Sequence, residues 1–232
     1  MQTDQQGPPQ IQQALWQAGE PAFAAFQARL LPTVKPETII GVRTPVLRSL
    51  AKELIRQGSA RTFLLALPHH YFEENQLHAL ILNQEQNPGL VLAEMDRFLP
   101  YIDNWATCDQ LAPRVFKKQP QPLLPFITSW LASPETYTVR CAVGLLLRFF
   151  LDDSFDSVYL AWVAQIRSAE YYVNMMIAWY FATALVKQYE AAIPYLTEHK
   201  LPRWVHNKTI RKAVESRRLT PAVKACLTTL RL

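Results

Sequence analysis

A chain of 232 residues, half of them hydrophobic and 19% charged, is long enough for one compact domain or a short stack of repeats. No apolar run reaches the roughly 18 residues a membrane-spanning helix needs, and the polar start MQTDQQGPPQ has no apolar segment behind a basic one, so a soluble, cytoplasmic protein without a signal peptide or membrane partner is expected. The net charge of +5 is unevenly placed: residues 200–232 hold nine Lys or Arg against Glu215 alone, and the rest of the chain is slightly acidic. A basic block on such a body is the footprint of phosphate binding, or else a solvated helix end.

Only six glycines and almost no alternating apolar and polar runs leave little to build strands from, while 3.6-residue periodicity recurs throughout. The expected class is all-α. After a flexible tail over residues 1–9, a single repeat domain over 10–232 divides at turn signals into helix pairs: 10–30 with 43–57, 59–67 with 71–87, 88–99 with 104–112, 121–131 with 134–150, 154–167 with 171–189 and 190–199 with 204–217, then a last helix near 220–231. Thr44-Pro45, Ser133-Pro134 and Thr220-Pro221 each offer a capping hydroxyl ahead of a proline at the first helical position, and Asp103 can cap the helix that follows it. The second helices begin about 28 to 37 residues apart. That spacing indicates an irregular helical-pair repeat, a HEAT-like solenoid, in which one helix of each pair lines a concave face.

Most of the chain's unusual side chains fall on those second helices. Trp105 and Asp109 are one turn apart on a short segment that ends before Pro113, so they share a face. Arg140 is the sole charge between Glu135 and Arg148, set among Val139, Ala142, Val143 and Leu146. A guanidinium there should meet an acid or a phosphate, and Asp109, one repeat earlier, is the obvious acid. The segment 172–181 is apolar all round, one stripe running through Val173, Ile177, Tyr180 and Ala184 and another through Tyr172, Met175, Trp179 and Thr183. Such a helix is either wholly buried or lines a cleft.

Other chemistries find little support. Cys108, Cys141 and Cys226 form no CxxC pair and read as buried, reduced thiols. His69, His70 and His78 lack the spacing of a metal site, and no GxGxxG, P-loop or GxSxG sequence is present. Neither a metal nor a cofactor is expected.

The segments IGVRTPVLRSLAK (40–52), DNWATCDQL (103–111), YTVRCAV (137–143) and YVNMMIAW (172–179) resemble the bacterial DNA alkylation repair proteins of the AlkD type, over residues 10–230. The resemblance implies HEAT-like repeats wrapped on duplex DNA and a lesion site of Trp105, Asp109, Arg140 and Trp179, with Tyr172, Asn174, Lys208, Arg211 and Lys212 as further DNA contacts. It also implies a monomeric enzyme that hydrolyses the N-glycosidic bond of cationic bases such as 3-methyladenine and 7-methylguanine. Met175 stands where the family's active type carries a basic residue, and HNKTIRKAVESRR (206–218) is similar to a divergent subgroup. Two other readings stand beside the glycosylase: a DNA-binding member without catalysis, and a helical-repeat scaffold for protein partners.

Overall fold

The computed structural model describes residues 9–232, which form α-helices and short 3-10 turns without a strand. The chain divides into two compact units, one ending at Gln119 and the other starting at Pro120. The first contains α1 (Pro9–Gln17), α2 (Pro21–Leu30), α3 (Thr44–Arg56), α4 (Ala60–Leu65), α5 (Phe72–Leu82), α6 (Pro88–Phe98) and α7 (Trp105–Gln110). The second contains α8 (Leu124–Leu131), α9 (Thr136–Phe149), α10 (Ser157–Gln165), α11 (Tyr171–Lys187), the single turns α12 (Tyr189–Ala192) and α13 (Pro194–Thr197), α14 (Arg203–Glu215) and α15 (Pro221–Thr229).

Within each unit the second helices of the pairs stack on one another: α5 packs on α3 and α7, and α11 packs on α9 and α14. This is the helical-pair repeat of an α solenoid. The pattern that drives it is visible in α3, where Leu47, Ala51 and Leu54 are buried at spacings of four and three while Arg48, Lys52 and Arg56 face out. Helix α5 is the exception, with every residue buried although Glu73, Glu74, Gln76 and His78 are polar. Most of its polar groups find partners inside the fold, while Asn75 Oδ1 and His78 Nε2 are buried without one. Glu74 accepts from the backbone N–H of His70 and Tyr71 at 3.1 and 2.9 Å, and the Gln76 amide donates to the Thr107 hydroxyl at 2.8 Å.

Several expectations are corrected. Residues 10–30 form two helices, because Pro21 lacks an N–H and holds Glu20 in extended backbone, which starts α2 afresh. Of the expected 1–9 tail, residues 1–8 lie outside the described residues, and Pro9 already belongs to α1. Helix α5 stops at Leu82; the Asn83 side chain then takes the N–H of Ala112 at 2.7 Å and donates to the Gln110 carbonyl at 2.7 Å, clamping the far end of α7. Asn104, not Asp103, caps α7, accepting from Thr107 N–H at 2.8 Å while Asp103 accepts from its amide. Thr220 caps α15 as expected. Thr44 makes no cap and is itself the first residue of α3, and Ser133 accepts from Glu135 N–H in a turn that precedes α9. Cys108 and Cys141 are free and buried, whereas Cys226 is free but exposed on α15.

His69 and His78 form a buried pair, ring nitrogens 2.8 Å apart, with His69 stacked on Phe63 and His78 on Phe98. Burial lowers the His69 pKa to about 4, and burial together with His69 and Arg97 holds His78 well below the ordinary range. No group of three or more potential metal ligands occurs among the described residues. Both histidines are therefore neutral in the fold and charged in the unfolded chain below the usual histidine pKa. The unfolded state then binds more protons, so stability falls as pH drops from about 6.5 toward 4, by about 1.4 kcal/mol per pH unit for each histidine. Urea unfolding followed between pH 7 and 4.5 should show that slope, and His78→Phe, which leaves only His69 to be charged, should reduce it to about half; a flat wild-type profile would contradict the pair's neutrality.

Candidate functional site

In the first unit, α7 is a rigid support. Asn104 closes its start and Asn83 its end, and the Trp105 indole N–H donates to the Leu30 carbonyl at 3.0 Å. The Trp105 ring packs with Ala106 against Leu31, Val34, Ile39 and Phe72. Trp105 is thus half buried and oriented, and Asp109, one turn further on the same face, is half exposed on a helix that cannot swing.

The platform beneath α2 and α3 rests on a residue that pattern reading passed over. Glu73, fully buried at the start of α5, accepts the backbone N–H groups of Ile40, Gly41 and Val42 at 2.9, 2.7 and 3.2 Å. Burial pushes its carboxyl above the usual range, and those three donors pull it back down. Gly41 has φ of +88°, and a Cβ there would lie 2.4 Å from the Glu20 carbonyl and 2.7 Å from the Ala24 nitrogen, so no other residue fits. Arg43 closes the turn, paired with Glu20 at 2.9 Å and lying over the Phe23 ring. The IGVR segment is therefore an architectural device.

In the second unit, α9 and α11 bring Arg140 and Tyr172 together. The Arg140 side chain is buried and donates to the Tyr172 carbonyl at 2.7 Å. The Tyr172 ring lies 5.6 Å from Tyr137 and 5.3 Å from Tyr171, and Tyr171 meets Trp204 edge to face at 5.8 Å. Both stripes of α11 are resolved as expected. Val173, Ile177, Tyr180 and Ala184 are buried, while Tyr172, Met175 and Thr183 are half exposed and Trp179 is 46% exposed. Trp179 is thus the open indole of a helix face that also shows Tyr171 to solvent.

The remaining candidates separate. Asn174 donates its amide to the Ser168 carbonyl at 2.9 Å, which ties α11 to the preceding loop. Lys208 and Arg211 line a cavity of 390 Å³ with Trp204, Asn207, Arg231 and Leu232. Lys212 does not line it and pairs with Glu215 at 2.7 Å. Trp204, exposed and one turn from Lys208, was not singled out from the sequence because a lone Trp at a helix start carries no motif.

Asp109 belongs to the first unit and Arg140, Tyr172 and Trp179 to the second. Chemically, the two sets offer a carboxylate on a fixed helix, and a guanidinium beside a solvent-facing aromatic stripe. A family model described as DNA alkylation repair enzyme matches residues 11–215, which spans α1 to α14. No curated protein matches the chain.

Proposed function

The chain belongs to the DNA alkylation repair enzyme family, and from that premise we propose that it is a monofunctional DNA glycosylase, releasing cationic alkylated purines such as 3-methyladenine and 7-methylguanine from duplex DNA as a monomer. The observation that carries the reading is on α11, which leaves Trp179 exposed and, two turns earlier, holds the buried Arg140 guanidinium at the Tyr172 carbonyl. An open indole and a fixed cationic arm on one pair of packed helices suit a positively charged base on an anionic backbone, the ring face attracting the first by cation–π contact and the guanidinium the second by charge-assisted hydrogen bonding.

The reaction asks little acid chemistry of the protein. When the C1′–N bond breaks, its electron pair goes to the alkylated base, which leaves neutral, and the sugar becomes oxocarbenium-like. In this reading Asp109, held on the rigid α7, faces that cation. It stabilises the developing charge and orients a water whose oxygen bonds to C1′ and whose proton passes to the carboxylate and then to solvent. Trp105, fixed through Leu30, gives the sugar an aromatic wall, and Arg140 holds an adjacent phosphate.

Incubation of the protein with methylated duplex DNA, followed by chromatography of the freed bases, tests the proposal. Release of 3-methyladenine and 7-methylguanine at a rate above the spontaneous one is the expected result. DNA binding without base release would instead assign the chain a recognition role in alkylation repair.

A further inference from the structure

The cavity between α14 and the Arg231–Leu232 segment has no part in the reaction above, and its walls are not those of a plain basic patch. Trp204 is 45% exposed, its ring meets Tyr171 edge to face, and Lys208 Nζ lies 5.6 Å from its centroid. Lys208 and Arg211 follow Trp204 at positions i+4 and i+7 of α14 and so share its face. Arg231 comes from beyond α15 and is brought in by Asn207, whose side chain donates to the Leu232 carbonyl at 2.9 Å and accepts its N–H at 3.0 Å. The opposite face of α14, through Val205, His206, Thr209, Ile210 and Ala213, is buried.

We propose that this cavity is a binding site for one unpaired nucleotide of a DNA strand, its base stacked on Trp204 and its phosphate held by Lys208, Arg211 and Arg231. A paired base cannot offer its face to an indole, whereas an unpaired one can, and cations alone would not require an exposed tryptophan among them. Arg211 keeps a 3.5 Å contact with Glu215, which sets its reach without filling it. The site gives the protein a preference for DNA that carries a displaced nucleotide over perfect duplex. The inference rests on the DNA-repair reading but not on the glycosylase chemistry.

Fluorescence anisotropy with three probes decides it: a perfect duplex, the same duplex with a single-nucleotide bulge, and the same duplex with an abasic bulge that keeps the phosphate and lacks the base. The base-bearing bulge should bind roughly tenfold or more tightly than either control, the worth of one stacked base. Trp204→Ala should erase that ratio while keeping the affinity for perfect duplex, and Trp204→Phe should retain most of it. Asn207→Ala, which frees Arg231, should lower affinity for both bulged probes alike. Equal binding of the two bulges, or a ratio unmoved by Trp204→Ala, overturns the nucleotide site while leaving duplex recognition intact. Loss of duplex binding with the Trp204-dependent ratio preserved would instead overturn duplex recognition alone.

Discussion

Asp109→Asn is expected to slow the release of 7-methylguanine from methylated duplex DNA by about a hundredfold or more, with affinity for that DNA unchanged or slightly raised. The substitution keeps the shape of the side chain, removes the negative charge and turns one of the two acceptor oxygens into an NH2 donor. A carboxylate facing an oxocarbenium-like sugar is worth most at the transition state, because the cation develops only as the base departs. In the bound ground state the same charge repels the neighbouring phosphates, so its removal does not weaken binding. Single-turnover base release and anisotropy with the same oligonucleotide separate the two quantities. An unchanged release rate would detach Asp109 from the chemistry even if the enzyme proved active, and parallel loss of release and affinity would make the residue a binding contact.

The repeat architecture was readable because it rests on periodicity. The stacks α3–α5–α7 and α9–α11–α14 follow from apolar spacing that an amphipathic helix must show wherever it packs. Local details failed where two neighbouring residues compete for one task. Asp103 and Asn104 are both good caps, and only the backbone, extended at Asn104 and aimed at Thr107, decides between them. Pro21 was a stop signal inside a convincing run of alanines and phenylalanines and should have divided it. Helix α5 inverts the usual rule, since its apolar and polar residues are all buried, and an apolar–polar pattern cannot announce a helix with no outward face.

The candidate site was legible to the extent that its side chains stand out against aliphatic surroundings. Arg140 is buried and donates to the Tyr172 backbone carbonyl, a partner that no residue pattern can announce. Trp179 is solvent-facing while Tyr180 beside it is wholly buried, a distinction set by which side of α11 meets α9 and α14. Asn174, named through the resemblance as a DNA contact, also anchors α11 to the Ser168 carbonyl. The basic terminus likewise resolves into unequal members, with Lys208, Arg211 and Arg231 around a cavity and Lys212 turned to Glu215.

Glu73→Ala should be among the most destabilising single substitutions in the chain, costing at least about 3 kcal/mol, because it leaves three buried backbone N–H groups without an acceptor and opens a void beneath Gly41. Glu73→Gln is the sharper test. Its carbonyl can still take Gly41 and Val42, but its NH2 then faces the Ile40 N–H, donor against donor, and the cost falls to about 2 kcal/mol. A pH signature separates this from simple loss of packing. Burial raises the folded pKa of Glu73 above 4.5, so between that value and the raised one the folded state binds more protons and the wild type loses stability as pH rises. The buried histidines act in the opposite sense up to about 6.5, so the quantity to follow is the difference between wild type and Glu73→Gln in urea midpoint from pH 4 to 8. That difference should shrink as pH rises through the folded pKa of Glu73 and then level off. A constant difference would mean that the carboxyl does not change its protonation there, and a difference near zero throughout would mean that the Ile40–Val42 turn is held by other contacts.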